Sequence, residues 1–195
     1  LKMTRNFWDA VLLKNSKEKK KIIFRNGLEM ELNWIEYRIV RDILANGYTI
    51  EQVDDLLSCR RGETKFVGPL PLIGVLNERL DEVYKIDCSN KVVLDVGGFI
   101  GDTAIFFSEW GAKKVIIYEP VVAHHKFIKI NIALNGVNAE LHDEGIGDED
   151  EYKIIHYDTI STGFGFNEGR HEMKIKFRNV KNVIEESDAD IAKFD

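Results

Sequence analysis

The stretch Val92-Val93-Leu94-Asp95-Val96-Gly97-Gly98-Phe99-Ile100-Gly101-Asp102-Thr103 decides how this chain folds. Val92-Val93-Leu94 is a continuous apolar run, as expected of a strand buried on both faces. The glycine-rich turn after it lets the backbone bend sharply and approach a ligand. An apolar helix over 102–110 follows, ended by Gly111. Further on, Val115-Ile116-Ile117-Tyr118 is a second buried strand that stops at Glu119-Pro120. A helix over 121–134, with Phe127, Ile130 and Leu134 inward, ends at Asn135-Gly136, and a third strand covers 139–142. Residues 190–195 read as a fourth parallel strand with an acid at its carboxyl end. Strand and helix in alternation imply right-handed crossovers and a parallel sheet, so the fold class is α/β.

The first 85 residues follow a different pattern and read as an N-terminal helical and hairpin accessory region, with 86–195 as the core. Thr4 can cap a helix over 5–20. Asn26-Gly27 between two short β-prone runs signals a hairpin, because its turn positions need positive φ. Trp34–Ala45 reads as a helix with Ile35, Ile39, Ile43 and Leu44 inward, and Thr49 as the cap of a short helix over 50–57. Residues 59–74, with three glycines and two prolines, read as a connecting loop. After the third core strand, 152–158 and 172–177 alternate like an antiparallel pair. The segment between them carries Phe164 and Phe166, as substrate-stacking residues or as loop anchors.

Length and composition set limits on this picture. At 195 residues the chain is one domain, or one with an appendage. Hydrophobic residues at 44% and charged ones at 31% exclude disorder and a disulfide scaffold. Residues 1–90 carry 15 basic and 14 acidic side chains, and 91–195 carry 12 and 19. The acidic second half argues against nucleic acid as a partner. Two cysteines, Cys59 and Cys88, lack metal-ligand spacing, and the histidines share none, so no metal is expected. With no secretory signal in view they suggest reduced thiols and a cytoplasmic location. No apolar run reaches the ~18 residues of a membrane span. The chain opens on Leu1 and closes on Ala192-Lys193-Phe194-Asp195, which reads as a strand cut short, so a fragment is expected.

Three features fall at the carboxyl ends of the parallel strands, where open α/β sheets bind ligands. The first is the turn from Asp95 to Thr103, followed by a helix N-terminus that favours an anion such as a carboxylate. The second is Glu119, 24 residues after Asp95, able to accept two hydrogen bonds from a ribose diol. The third is Asp143-Glu144, placed to meet an adenine amine. Together they describe a pocket for an adenosine compound. A dinucleotide site needs glycine where Phe99 stands, and the charge of Asp95 would repel a pyrophosphate. S-adenosylmethionine carries an ammonium, a sulfonium and a single carboxylate, and suits such a site better.

In these residues the stretch 93–195 resembles the class I S-adenosylmethionine-dependent methyltransferases, and in detail the FkbM-type family. The matching phrases are Leu94 to Thr103, Tyr118-Glu119-Pro120, Glu144-Gly145-Ile146-Gly147-Asp148 and Lys193-Phe194-Asp195. Phe99 and Gly145 depart from the family pattern, where Asn and Ala are frequent. The resemblance implies a Rossmann-like sheet whose strand order begins 3-2-1-4, with later strands missing from this chain. It implies that Asp95, Gly97, Gly98, Phe99, Gly101, Asp102 and Thr103 hold the methionine part of the cofactor. Glu119 and Pro120 would take the ribose, and Asp143 or Glu144 the adenine. Asp195 would be catalytic, beside the transferring methyl.

The expected activity is O-methylation of a hydroxyl on a small molecule or sugar. An RNA base methyltransferase is the alternative, because Gly111-Ala112-Lys113-Lys114-Val115 and Asn131 to Asn135 also resemble archaeal tRNA guanine-N1 methyltransferases. A non-catalytic S-adenosylmethionine-binding module or inactive fragment is the reading from another class. His124 and His125 are expected on an exposed helix face. An unfinished sheet leaves a strand edge that invites pairing, so a homodimer is a further expectation.

Overall fold

The structure is a computed structural model and describes residues 3–78, 80–84, 86–157, 164–165 and 171–195. The chain divides into two compact units, Leu1–Glu63 with Val67–Glu78, and Thr64–Phe66 with Arg79–Asp195. The units therefore part near residue 78, where the sequence suggests 85.

In the first unit, helix α1 (Phe7–Leu13) precedes a hairpin of β1 (Lys20–Ile23) and β2 (Glu29–Leu32). The hairpin forms as expected, but only Gly27 takes positive φ, at +94°, and Asn26 does not: the link is a three-residue loop, closed by Gly27 N–H on the Phe24 carbonyl and Phe24 N–H on the Leu28 carbonyl. Helix α2 (Trp34–Ala45) opens on a capping box: Glu36 N–H donates to Asn33 Oδ1, and Asn33 N–H donates to Glu36 Oε2, each at 2.9 Å. Its buried face is Tyr37, Val40 and Ile43, while Ile35 is 68% exposed.

Three expectations for residues 1–78 are corrected. The helix over 5–20 is only α1, and Thr4 bridges Phe24 in an isolated β-pair instead of capping it. The helix over 50–57 is a hairpin, β3 (Thr49–Val53) and β4 (Leu56–Arg61), with Val53 paired to Leu56 across a two-residue turn. Asp54 takes φ +54° there, a conformation Asp tolerates better than most residues. The loop over 59–74 is largely ordered into β4, β5 (Thr64–Gly68), α3 (Leu70–Ile73) and the start of a 3-10 turn, Gly74–Asn77. Alternation in β5, with Thr64 and Phe66 buried, is the signal that its flanking glycines obscure.

The second unit takes Thr64–Phe66 of β5, continues with α4 (Leu80–Val83) and then builds the parallel sheet. Its strands are β6 (Val92–Val96), β7 (Lys114–Tyr118) and β8 (Ala139–His142), linked by α5 (Asp102–Glu109) and α6 (Val122–Leu134). Then come β9 (Gly145–Gly147), β10 (Glu151–Tyr157), β11 (Phe164–Gly165) and β12 (His171–Asn179). Helix α7 (Val180–Ser187) and β13 (Ile191–Phe194) complete the chain's elements. The sheet order is β13-β6-β7-β8, all parallel, with Lys193 beside Asp95 and Asp95 beside Ile117. A second sheet runs β11-β10-β12-β9, with β10 and β12 antiparallel. Of the loop expected around Phe164, only Phe164–Gly165 is described, as β11; Phe166 lies outside the described residues.

Strand alternation splits the core. Val93, Val115 and Ile117 pack with Ala104, Phe107 and Ile128 of the two crossover helices. Leu94, Ile116 and Tyr118 pack on the other face with Val183 of α7. Each such side chain contributes about 1.5–3 kcal/mol on full burial. Sequence reasoning missed α7, although Asn179 caps it by accepting the Lys181 N–H at 2.9 Å. On α6 the inward face is also corrected: His124, Phe127, Ile128 and Asn131 are buried, and Ile130 and Leu134 are exposed. Among the described residues no helix is long and apolar enough to cross a membrane.

Candidate functional site

Asp95 lies near the carboxyl end of β6 and is fully buried. The Thr103 hydroxyl donates to its Oδ2 at 2.6 Å. The Lys193 ammonium stands 3.0 Å from its Oδ1, brought there by the parallel register of β13 on β6. The same ammonium pairs with Asp195 Oδ2 at 2.7 Å and donates to the carbonyls of Gly97 at 2.9 Å and Val96 at 3.2 Å. Burial works against the charge on Lys193, but Asp95 and Asp195 more than offset it, and its pKa is pushed up to about 12. Burial raises the pKa of Asp95, opposed by Lys193 and Thr103. The side chain of Asp195 is 60% exposed. Lys193 is thus a buried hub joining two strand-end acids to the glycine turn. Sequence reasoning placed Lys193 in a motif and assigned it no role.

The turn itself is tightly fastened. Gly97 and Gly101 take φ +82° and +83°. Gly98 is required for packing instead, since a Cβ there would lie 2.2 Å from Ile117 Cγ2. Phe99 stands at φ +43°, unusual for a bulky residue. The N–H groups of Gly97 and Gly98 donate to the Tyr118 carbonyl at 2.8 and 3.3 Å, and Phe99 N–H donates to Glu119 Oε2 at 2.8 Å. Three consecutive donors of the turn are committed within the protein, which leaves no nest for a pyrophosphate at these positions. Asp102 and Thr103 begin α5 and are buried.

Glu119 is buried at the end of β7. Its second oxygen, Oε1, accepts the Val121 N–H at 2.8 Å. A carboxylate offers about four acceptor sites, so a diol would use those that the two N–H groups leave. The expected exposed position of His124 is corrected: it is 2% exposed, with Nδ1 3.5 Å from Glu119 Oε1 and neither ring nitrogen in a hydrogen bond. Its ring meets Phe99 edge-on at 4.9 Å. The neighbouring His125 donates from Nε2 to the Glu119 carbonyl at 2.6 Å.

A pocket of about 330 Å³ opens beyond Glu119, walled by Pro120, Val122, Asp143 and Glu144. Tyr152, Met173 and Ile175, with Lys174 and Lys176, line it from β10 and β12. Glu144 pairs with Lys176 at 2.6 Å, and the Lys174 ammonium lies 4.8 Å from the Tyr152 ring centre. Asp143 is exposed. Sequence reasoning missed this wall; the alternation of β10 and β12 signals a sheet face but not what it faces.

Nine of the twelve sequence-expected residues fall into three groups, while Gly98 and Gly101 serve the packing of the turn and Asp102 begins α5. Asp95, Gly97, Thr103 and Asp195 gather round Lys193. Phe99 and Glu119 bind one another. Pro120, Asp143 and Glu144 line the pocket. Among the described residues no three His, Cys, Asp or Glu are grouped to hold a metal ion. Cys59 is buried, and burial pushes its thiol up to about 12, far from a thiolate nucleophile at neutral pH. No family model matches this chain, and no curated protein matches it in sequence.

Proposed function

We propose that this chain is an S-adenosylmethionine-dependent methyltransferase of Rossmann-like class I type, resembling the FkbM-type family, acting on a hydroxyl of a small molecule or sugar. The observation that carries the reading is the Asp95–Lys193–Asp195 cluster beside the glycine turn, at the carboxyl ends of adjacent parallel strands.

The residues present fit the cofactor on two counts. The cluster holds two carboxylates against one ammonium, a net negative charge that favours a cationic ligand over a polyphosphate. Gly97 leaves open the space a Cβ would fill, 3.3 Å from Asp195 Cβ. Asp95, Gly97 and Gly101 would hold the methionine part, Glu119 the ribose, and the pocket at Asp143 and Glu144 the adenine. When bound, S-adenosylmethionine supplies an electrophilic methyl group.

The protein's own residues supply the rest. Lys193 fixes Asp195 at the end of β13, so that an exposed carboxylate is held in one place. Asp195 accepts the proton of the acceptor hydroxyl; such general-base assistance is typically worth ~10²–10⁴-fold. Alignment of the acceptor contributes more, because held geometry replaces a bimolecular encounter. The buried turn, fastened through Phe99 and Glu119, keeps the cradle rigid while the acceptor comes and goes.

Isothermal titration tests the reading. S-adenosylmethionine and S-adenosylhomocysteine should both bind, the cation more tightly, and Asp195→Asn should narrow the difference between them. No heat from either ligand at millimolar concentration would sink the cofactor claim. Binding without turnover over a panel of hydroxylated acceptors would favour the non-catalytic module.

A further inference from the structure

The first unit holds a groove of about 530 Å³ that the proposed methyl-transfer site does not use. One wall is β2, and Glu29, Met30, Glu31 and Leu32 all line it. Consecutive strand residues point to opposite faces. Four in a row can line one groove only where it runs along the strand's edge. That edge is open: β2 pairs with β1 on its other side and with no further strand among the described residues.

The hairpin phase shows which backbone groups reach the groove. Phe24 N–H donates to the Leu28 carbonyl, making Phe24–Leu28 a hydrogen-bonded pair. Antiparallel pairs alternate, so Ile23–Glu29 and Lys21–Glu31 are the non-bonded pairs. Ile23 obeys this phase, because its carbonyl accepts the Arg5 N–H on the far side of β1. The N–H and C=O groups of Glu29 and Glu31 therefore point away from β1 and into the groove.

The groove's chemistry is equally defined. Leu70, with Pro69 and Pro71, supplies apolar surface, backed by buried Leu32 and Leu57. Glu29, Glu31, Glu36 and Asp55 face it against Lys19, a formal charge of −3. Lys19 is held by Glu36 at 2.8 Å, and Lys21 holds Glu29 at 2.6 Å. Glu31 and Asp55 are exposed and make no ion pair among the described residues. The carboxylates are not gathered as a metal site. Glu29 and Glu31 lie on the β2 edge, about 13 Å long at ~3.3 Å per residue over four residues, while Glu36 comes from α2 and Asp55 from the β3–β4 turn.

We propose that this groove receives an extended basic segment of a partner protein, which adds to β2 as a third strand. Backbone groups of the segment pair with Glu29 and Glu31, as in other strand-addition complexes. Its Lys or Arg side chains meet Glu31 and Asp55, and the apolar side chains between them rest on Pro69, Leu70 and Pro71. The three features together select the class of partner. A polyamine would match the charge but has no backbone to pair, and a neutral strand would leave the acids unanswered.

The test uses the full chain and a fluorescein-labelled hexapeptide of alternating lysine and valine, followed by fluorescence anisotropy at low salt. Saturable binding that weakens as salt is added is expected. The exposed double variant Glu31→Lys/Asp55→Lys, checked for an unchanged circular dichroism spectrum, should bind at least tenfold more weakly. N-methylation of one alternate set of peptide amides should abolish binding, while methylation of the other set should not. Four results would each overturn the proposal: no saturable binding up to millimolar peptide, unchanged affinity in the double variant, indifference to both methylation patterns, or spermidine competing as well as unlabelled peptide.

Discussion

Lys193→Met removes the charge at the hub and keeps most of the side chain's apolar length. The wild-type side chain is 4% exposed and that of Asp95 is 0% exposed. After the substitution, Asp95 stays buried with the Thr103 hydroxyl as its remaining hydrogen-bond donor. Breaking a buried pair from one side costs about 3–5 kcal/mol. In a chain of this size 1 kcal/mol moves Tm by about 2–4 °C, so the midpoint should fall by roughly 6–20 °C. Thermal unfolding followed by circular dichroism at pH 7 measures this. The double variant Asp95→Asn/Lys193→Met should recover much of the loss, with a coupling of about 2 kcal/mol or more, because no lone charge is left buried.

The pH dependence of that comparison has a definite sign at each end. The folded pKa of Lys193, about 12, lies above the ordinary 10.5. Its stabilising contribution is complete below 10.5 and is lost as pH rises through 12. The gap between wild type and Lys193→Met should therefore narrow by ~2 kcal/mol over that window. Asp95 acts in the opposite range. Burial raises its folded pKa, so the folded chain keeps a proton that the unfolded chain has lost, and stability falls as pH rises. Losing Lys193 removes the largest influence holding that pKa down, so the variant's deficit should be smallest in acid. A variant within about 1 kcal/mol of wild type at pH 7, or a double variant no more stable than the single, would refute the cluster's role.

Other perturbations test neighbouring features. Gly98→Ala places a methyl against Ile117 and should destabilise by about 1–3 kcal/mol, seen as a lower urea midpoint at unchanged m-value. Glu119→Gln puts an NH2 donor where one of the two oxygens accepts, so either the Phe99 or the Val121 N–H loses its partner, and the variant should lose about 1–3 kcal/mol in the same assay. His124→Phe removes two buried nitrogens that lack hydrogen bonds and can keep the edge contact with Phe99. It should unfold at or above the wild-type temperature in differential scanning fluorimetry.

What the sequence discloses depends on how far apart the cooperating residues lie along it. β6 and β7 were legible because each is a short apolar run with a glycine or acid at its end, whereas β8 has no buried residue and β13 buries only Lys193. Trp34–Ala45 was legible as a helix, but its inward face was misread: Ile35 is exposed, and Tyr37 and Val40 are buried. Hydrophobicity alone ranks Ile35 above Tyr37, and only packing decides between them. The hairpin of β3 and β4 was misread because its turn is Asp54-Asp55, not Asn-Gly, and Thr49 imitates a helix cap. In the site, Asp95, Thr103 and Asp195 stood out by type and position. The hub that joins them did not, because Lys193 and Asp95 meet only through strand register.

Contacts between residues distant in sequence also account for the residue that departs most from the expected motif. Phe99 carries a bulky ring at positive φ, which costs more there than for glycine or asparagine. Two contacts offset it: its N–H is taken by Glu119 and its ring lies against His124. His124 Nδ1 stands 3.5 Å from Glu119 Oε1 without a hydrogen bond, so its part is packing alone. Turn, strand-end acid and helix therefore close into a three-residue loop of contacts. A phenylalanine in the turn and a buried histidine on α6 are two halves of one packing solution. Read singly, the first is a departure and the second is a surface residue. Read together, they explain how a strained turn is held rigid at the strand ends where the ligand is proposed to bind.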